Sequence, residues 1–270
     1  MQWTWGSVIK QINFLVGLPR AGNTLLGSII NQNTNFVVTA NGITNEMCKE
    51  IEKLQRGDVF KNFPYQKPFD DVCYNILPNY YSNWKQNYIL DRGPWGFPNN
   101  LKFLKKYHNQ KLKFIVLVRD VYEVLQSFLK HGKENKNSLV NKSWAKTDEE
   151  KCDMLMDKKG LIIGELISIH HLTQIEENKH MAHVVEYDDL INDPEKTITN
   201  IYKFLDIPYF KHSFDKFDQF KIEGQMYDDT EVGENLHKIK ENGLQKIIHS
   251  PLPKSVIDKY KNLNFWRNNE

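Results

Sequence analysis

GLPRAGNT, residues 17–24, joins one apolar run, INFLVGL (12–18), to a second, TLLGSII (24–30). The first run reads as a buried strand. The second has helical periodicity, so a strand–turn–helix unit is expected with Gly17 ending the strand and Thr24 opening the helix. Such a turn aims successive backbone N–H groups at one point, and the helix N-terminus adds partial positive charge there. Gly17 and Gly22 suit the tight turn and a close backbone approach. The loop can also be only a connection between two elements. The strand before it, the helix after it, the arginine inside it and the threonine at its end favour an anion cradle. Its candidate contacts are Gly17, Pro19, Arg20, Ala21, Gly22, Asn23, Thr24 and Leu25. In a nucleoside-triphosphate loop, GxxxxGK[ST], the seventh position is a lysine that reaches the β- and γ-phosphates. Here that position is Asn23, and Arg20 supplies a cation three residues earlier, able to fork onto two oxygens. Ordinary ATP chemistry is therefore disfavoured.

Outward from this unit, NYILD (87–91), KFIVLV (113–118) and HVVEY (183–187) are short runs apolar on both faces, with FVVT (36–39) a weaker fifth. Helical patterns lie between them: VYEVLQSFLKH (121–131), a long one over roughly 148–178, and one opened by Asp193-Pro194-Glu195, with Asp as N-cap and Pro at the first helical position. Strands alternating with helices predict an α/β protein: a three-layer sandwich around a central, mostly parallel sheet, P-loop NTPase-like, in a single domain over 1–270. Two stretches, 132–144 and 207–235, show no lasting period and read as irregular loops of the kind used as lids or binding segments.

Composition bounds the function. The chain has 270 residues, 40% hydrophobic and 26% charged, with a formal net charge of +2. A near-neutral balance gives no global basic field for nucleic acid. The lysines of 102–113 read as a solvated helix and turn. The three cysteines show no CxxC spacing, which points to a reducing compartment rather than to disulfides or zinc. No run reaches the length of a membrane span, so a cytoplasmic protein is expected.

A second marker lies in VRDVYEVLQSFLKH (118–131): Arg119 ends a strand and Ser127 follows eight residues later, inside the next helix. Strand ends and helix starts face one crevice in an open α/β sheet, so the two side chains are placed to bind a further phosphate together. Together the two markers resemble the sulfotransferase family. A third stretch, VVEYDDLINDPEKTITNIYKFLDIP (184–208), is similar to that family's penultimate strand–helix unit and contributes Tyr187 as a further cofactor-side candidate. ENLHKIKENG (234–243) resembles a family segment near the 3′-phosphate, with His237, Lys238 and Lys240 as candidates.

The resemblance implies 3′-phosphoadenosine-5′-phosphosulfate (PAPS) as donor and adenosine 3′,5′-bisphosphate (PAP) as product, with no metal required. It implies that the first loop holds the 5′-phosphosulfate, and that Arg119 and Ser127 hold the 3′-phosphate. An arginine in that loop looks closest to the tyrosylprotein branch and its bacterial relatives. ILDRGPWGF (89–97) resembles the stretch where those relatives place a second cation, here Arg92. That branch draws its base from a Gly-Glu-Glu element. The corresponding TANGITNEMCKE (39–50) departs from it, leaving Glu46 as the nearest candidate and His108 as a rival. The acceptor stays open among small molecules, sugars and peptides, and the oligomeric state is not legible. Two alternatives stand: a kinase with an altered loop, in which Asp91 holds magnesium, and a non-catalytic nucleotide-binding member of the fold.

Overall fold

The computed structural model describes residues 10–142, 144–239, 244–246 and 250–269. Five strands build one sheet: β1 (Gln11–Gly17), β2 (Phe36–Asn41), β3 (Tyr88–Arg92), β4 (Phe114–Val118) and β5 (Ala182–Glu186). All neighbours are parallel and the order is β2-β3-β1-β4-β5, with β1 at the centre. The five runs expected as strands are these five. Their sequence signature follows from parallel pairing, because helices cover both faces of such a sheet. Ile12, Phe14, Leu15 and Val16 of β1 and every residue of β4 are buried. Phe14 packs on Phe114 and Trp95, with ring centroids 5.4 and 5.1 Å apart.

The helices are α1 (Asn23–Ile30), α2 (Thr44–Leu54), α3 (Asp58–Asn62), α4 (Gln66–Tyr80), α5 (Pro98–Tyr107), α6 (Val121–Glu134), α7 (Asp148–Leu155), α8 (Leu161–Thr173), α9 (Glu176–Lys179), α10 (Tyr187–Asn192), α11 (Pro194–Leu205) and α12 (Lys254–Lys259). No helix among the described residues is long and apolar enough to cross a membrane. Asp120 caps α6 by accepting from the Tyr122 amide at 2.9 Å. Asp193 caps α11 through the Lys196 amide at 3.3 Å, with Pro194 in the first turn as expected.

The single helix expected over 148–178 is three helices. Thr147 and Glu150 close a capping box at the start of α7. The chain then folds back so tightly at Gly160 that a Cβ there would sit 2.3 Å from the Leu155 carbonyl oxygen. Apolar spacing runs on through this break, which hides it from a periodicity reading. The stretch 132–144 also has more structure than expected: α6 extends to Glu134 and a 3₁₀ turn covers Leu139–Asn141. Lys113 departs from the solvated reading of its cluster. It is 6% exposed and ion-paired with Asp206.

Segment 207–239 contains neither helix nor strand, apart from one bridge between Ile222 and Gln225. It is nevertheless seated on the fold. Gln32 and Ser213 exchange two hydrogen bonds, and the Phe220 ring lies against Gly27, where a Cβ would come within 2.5 Å.

Candidate active site

The carboxyl ends of β1, β3 and β4 deliver Gly17, Arg92 and Val118-Arg119 to one edge of the sheet, where open α/β sheets bind their ligands. Between β1 and α1 the loop turns through two left-handed residues, Arg20 (φ 63) and Gly22 (φ 91). Gly22 is also where the Tyr187 ring closes in, 2.9 Å from the position of a Cβ. The first amides of α1 have no side-chain cap, and a helix cannot satisfy its own leading N–H groups.

Asn23 does not take over the role of the lysine it replaces. Its side chain is buried, and Nδ2 donates to the Leu18 carbonyl at 2.8 Å, stapling the turn from inside. Gly17 makes room for this amide, because a Cβ there would fall 2.2 Å from Asn23 Oδ1. Leu25 and Ala21 turn their side chains into the core, so only their backbone is available to the crevice. Pro19 and Thr24 are half-buried.

Arg20 reaches across the crevice. Its Nε donates to Ser127 Oγ at 3.0 Å and its Nη1 to the Leu236 carbonyl. Among the described residues it makes no ion pair. Burial, followed by the charge of Arg119, lowers its pKa. Arg119 is 4% exposed; its Nη1 donates to the Arg20 carbonyl at 3.1 Å and its Nε to Glu123 at 2.9 Å. The Tyr187 ring packs on its guanidinium, with the carbon 4.2 Å from the ring centroid. The structure thus brings together Arg20, Arg119, Ser127 and Tyr187, four residues from three separate stretches of sequence.

Arg92 lies on the other side of the loop. Its Nη1 donates to the Tyr227 hydroxyl at 2.9 Å. The Tyr227 ring stacks on His237 at 3.8 Å, and His237 Nδ1 is 2.6 Å from Asp229 Oδ1. Burial lowers the His237 pKa; Asp229 opposes this, and the charges of Arg92 and Arg20 add to it. Lys238 is exposed and lines a cavity of about 340 Å³ together with His237, Tyr227 and Asp229. Lys240 lies outside the described residues. Tyr227 and Asp229 had no signal in the sequence beyond an aromatic, charged stretch without period.

Asp91, next to Arg92, is fully buried and accepts from the Thr44 and Tyr81 hydroxyls at 2.8 Å each and from Trp95 Nε1 at 3.2 Å. Burial raises its pKa to about 6. Its oxygens are committed to the protein, which removes the observation that motivated a magnesium-holding strand. Glu46 is not brought to the loop's arginines. It sits exposed on α2 and pairs with Lys49 at 3.3 Å. His108 is further away still: it packs against Phe14 and bonds near Ile12 at the amino end of β1, and burial lowers its pKa to about 4.

The family model of the Sulfotransferase domain matches residues 11–261. No curated protein matches the sequence. Similar solved structures include the sulfotransferase domain from the curacin biosynthetic pathway, at 15% identity over 94% of this chain and 91% of that one, TM-score 0.42. A second is the sulfotransferase domain from the Synechococcus PCC 7002 olefin synthase, at 17% identity over 100% of this chain and 92% of that one, TM-score 0.48. A third is mouse sulfotransferase SULT7A1 complexed with PAP, at 15% identity over 76% of this chain and 64% of that one, TM-score 0.46. The domain match begins with the first residue of β1 and runs past the end of α12, taking in every element that lines the crevice. The chain belongs to the sulfotransferase domain family.

Proposed function

We propose that the protein transfers a sulfuryl group from PAPS to a hydroxyl or amine of an acceptor, and that Arg20, Arg92, Arg119 and Ser127 carry the anionic ends of the donor. One observation supports this above the others. Two arginines lie side by side at the loop, Arg119 buried and Arg20 half-buried, and Arg20 has a hydroxyl and a carbonyl for partners in place of a carboxylate. A desolvated guanidinium next to another of the same charge is costly without an anion. A ligand with negative groups at both ends removes that cost.

The donor supplies a sulfuryl group on a phosphate leaving group, and negative charge builds on the bridging oxygen as it departs. The amides opening α1, the Thr24 hydroxyl and Arg20 stand where the loop binds that end, and fixed donors aimed at developing charge lower the barrier most. Arg119 and Ser127 take the 3′-phosphate, with Tyr187 holding the arginine by its ring. Donor entry exchanges the Arg20–Ser127 bond for contacts to the ligand, freeing the hydroxyl for the phosphate and the guanidinium for the loop end. Arg92 faces the transferring oxygens. His237, Lys238 and Lys240 belong to the nucleotide side of the crevice, and the acceptor is a small molecule, a sugar or a peptide.

The test has two parts. PAP at saturating concentration raises the melting temperature by mass action and ATP–Mg does not. ³⁵S from labelled PAPS then appears in at least one member of a panel of phenols, sugars, amines and tyrosine peptides. Stabilisation by ATP–Mg without PAP overturns the reading in favour of a kinase. Stabilisation by PAP without transfer to any acceptor, water included, favours a nucleotide-binding protein.

A further inference from the structure

Helix α8 begins LIIGELISI (161–169), an apolar run interrupted by one carboxylate, Glu165. Its Oε2 is buried and has no hydrogen-bond partner. A buried carboxylate oxygen without a donor is an expensive arrangement that a fold rarely keeps without use. Glu165 lines a cavity of about 600 Å³ with Asn45 and Glu46 from the start of α2, Pro94 and Phe97 from the turn after β3, and Gly164. The cavity therefore opens at the carboxyl end of the sheet, on the side of the loop where β3 delivers Arg92. Its walls are fixed against each other. The turn after β3 touches the α8 backbone so closely that a Cβ on Gly96 would lie 2.5 Å from the Ser168 carbonyl oxygen.

Resting on the sulfuryl-transfer reading above, we propose that this cavity receives the acceptor and that Glu165 is the base that takes its proton. As the acceptor oxygen or nitrogen forms its bond to sulfur, the bond from sulfur to the bridging oxygen breaks and its electron pair stays on the phosphate of PAP. The acceptor proton passes to the Glu165 carboxylate, turning it into a carboxylic acid that later loses the proton to water. Arg92, at the end of β3, faces the transferring group on one side and Glu165 on the other.

The charges around Glu165 are compatible with this role. Burial pushes its pKa up to about 7, and the charge of Arg92 works in the opposite direction. A base titrating near neutrality combines a large ionised fraction with useful proton affinity. From α2 the cavity also meets Glu46, Lys49, Glu52, Lys53 and Arg56, and from the turn before α8 it meets Lys159. On α2, Glu46 pairs with Lys49 and Glu52 with Arg56, at 3.3 and 3.7 Å, on the helix surface. Glu46 is thus a solvated member of an ion pair, whereas Glu165 keeps an uncommitted oxygen inside.

The experiment uses the whole protein, labelled PAPS, and water as the acceptor, so no natural acceptor is needed. Release of sulfate from PAPS should rise with pH through about 7 in the wild type. Glu165→Gln should lose on the order of 100-fold in rate and lose the pH dependence, and Glu165→Asp should recover part of both. PAP should raise the melting temperature of all three proteins equally, which shows that the donor site is intact. A Glu165→Gln protein with the wild-type rate and pH profile overturns the proposal, as does a larger loss in Glu46→Gln. Failure of PAP to stabilise even the wild type sinks the sulfuryl-transfer reading instead. Where wild-type hydrolysis is too slow to follow, carboxyl ¹³C resonances decide. A Glu165 midpoint near 7 that moves up when PAP adds negative charge supports the role, and an ordinary carboxylate midpoint indifferent to PAP overturns it.

Discussion

The turn after β1 and the irregular segment 207–239 meet at Arg20 but are built in opposite ways. The turn is local: its left-handed residues, its glycines and the Asn23 staple all lie within eight consecutive positions. The segment has no periodic structure and is placed by contacts between residues far apart in the chain. Arg20 donates to Leu236 across 216 positions, and Arg92 donates to Tyr227 across 135. The turn is preorganised by its own backbone and the Asn23 staple. The cover over it exists only once the whole domain is assembled, and its hold on the arginines is made of single hydrogen bonds worth about 0.5–1.5 kcal/mol each.

This contrast predicts large effects inside the cradle and small ones in the cover. Arg20→Ala should lower the rate of ³⁵S transfer by roughly 10²–10³, the loss typical of one transition-state donor, while PAP affinity measured by calorimetry changes far less. A rate near wild type would separate Arg20 from the reaction. Asp91→Ala, beneath the cradle, should cost about 3 kcal/mol in urea denaturation, because it strands three buried donors from Thr44, Tyr81 and Trp95. Its acid chemistry has a definite sign. The folded-state pKa of about 6 lies above that of an unfolded aspartate, so the folded state holds its proton more tightly. Wild-type stability should therefore fall as pH rises from about 4 to about 6, and Asp91→Asn should flatten that window.

Gly22→Ala should weaken PAP by roughly tenfold, since an L-residue at φ 91 is strained by about 1–2 kcal/mol and its Cβ meets the Tyr187 ring. Unaltered affinity would mean that the turn tolerates rebuilding. Ser127→Ala should cost PAP up to about tenfold while leaving 5′-AMP nearly unaffected. Equal losses for the two ligands would detach the serine from the 3′-phosphate. At the small end, Tyr227→Phe should change PAP affinity by no more than about threefold, because it removes only the acceptor for Arg92. A larger change would show that the cover is as tightly specified as the cradle.

Legibility in the sequence follows the same division. All five strands were readable: the central β1 and β4 because a strand covered on both faces must be apolar throughout, and the half-exposed edge strand β5 by its Val184-Val185 pair. Arg119 and Ser127 were readable as a strand-end arginine with a hydroxyl eight residues on, and the structure seats both beside Arg20. The break of 148–178 into three helices was not, because the apolar spacing continues while the backbone turns at Gly160. Glu46 illustrates the limit for the site. Its place after β2 made it the nearest carboxylate by position, yet it is exposed at the cavity rim and ion-paired with Lys49. The carboxylate with a buried, unpartnered oxygen comes from α8, where the one available clue was a charge in an apolar helix.

By itself the sequence determined the alternation of strands and helices, the strand–turn–helix unit and the cations placed near it, because each depends on backbone preferences and spacings within a few residues. The tertiary structure decided which of those cations makes no ion pair among the described residues and which carboxylates are stripped of water. Solvation is set by whatever the rest of the chain packs around a group: Leu236 over Arg20, Tyr187 over Arg119, and the turn after β3 against the helix that carries Glu165.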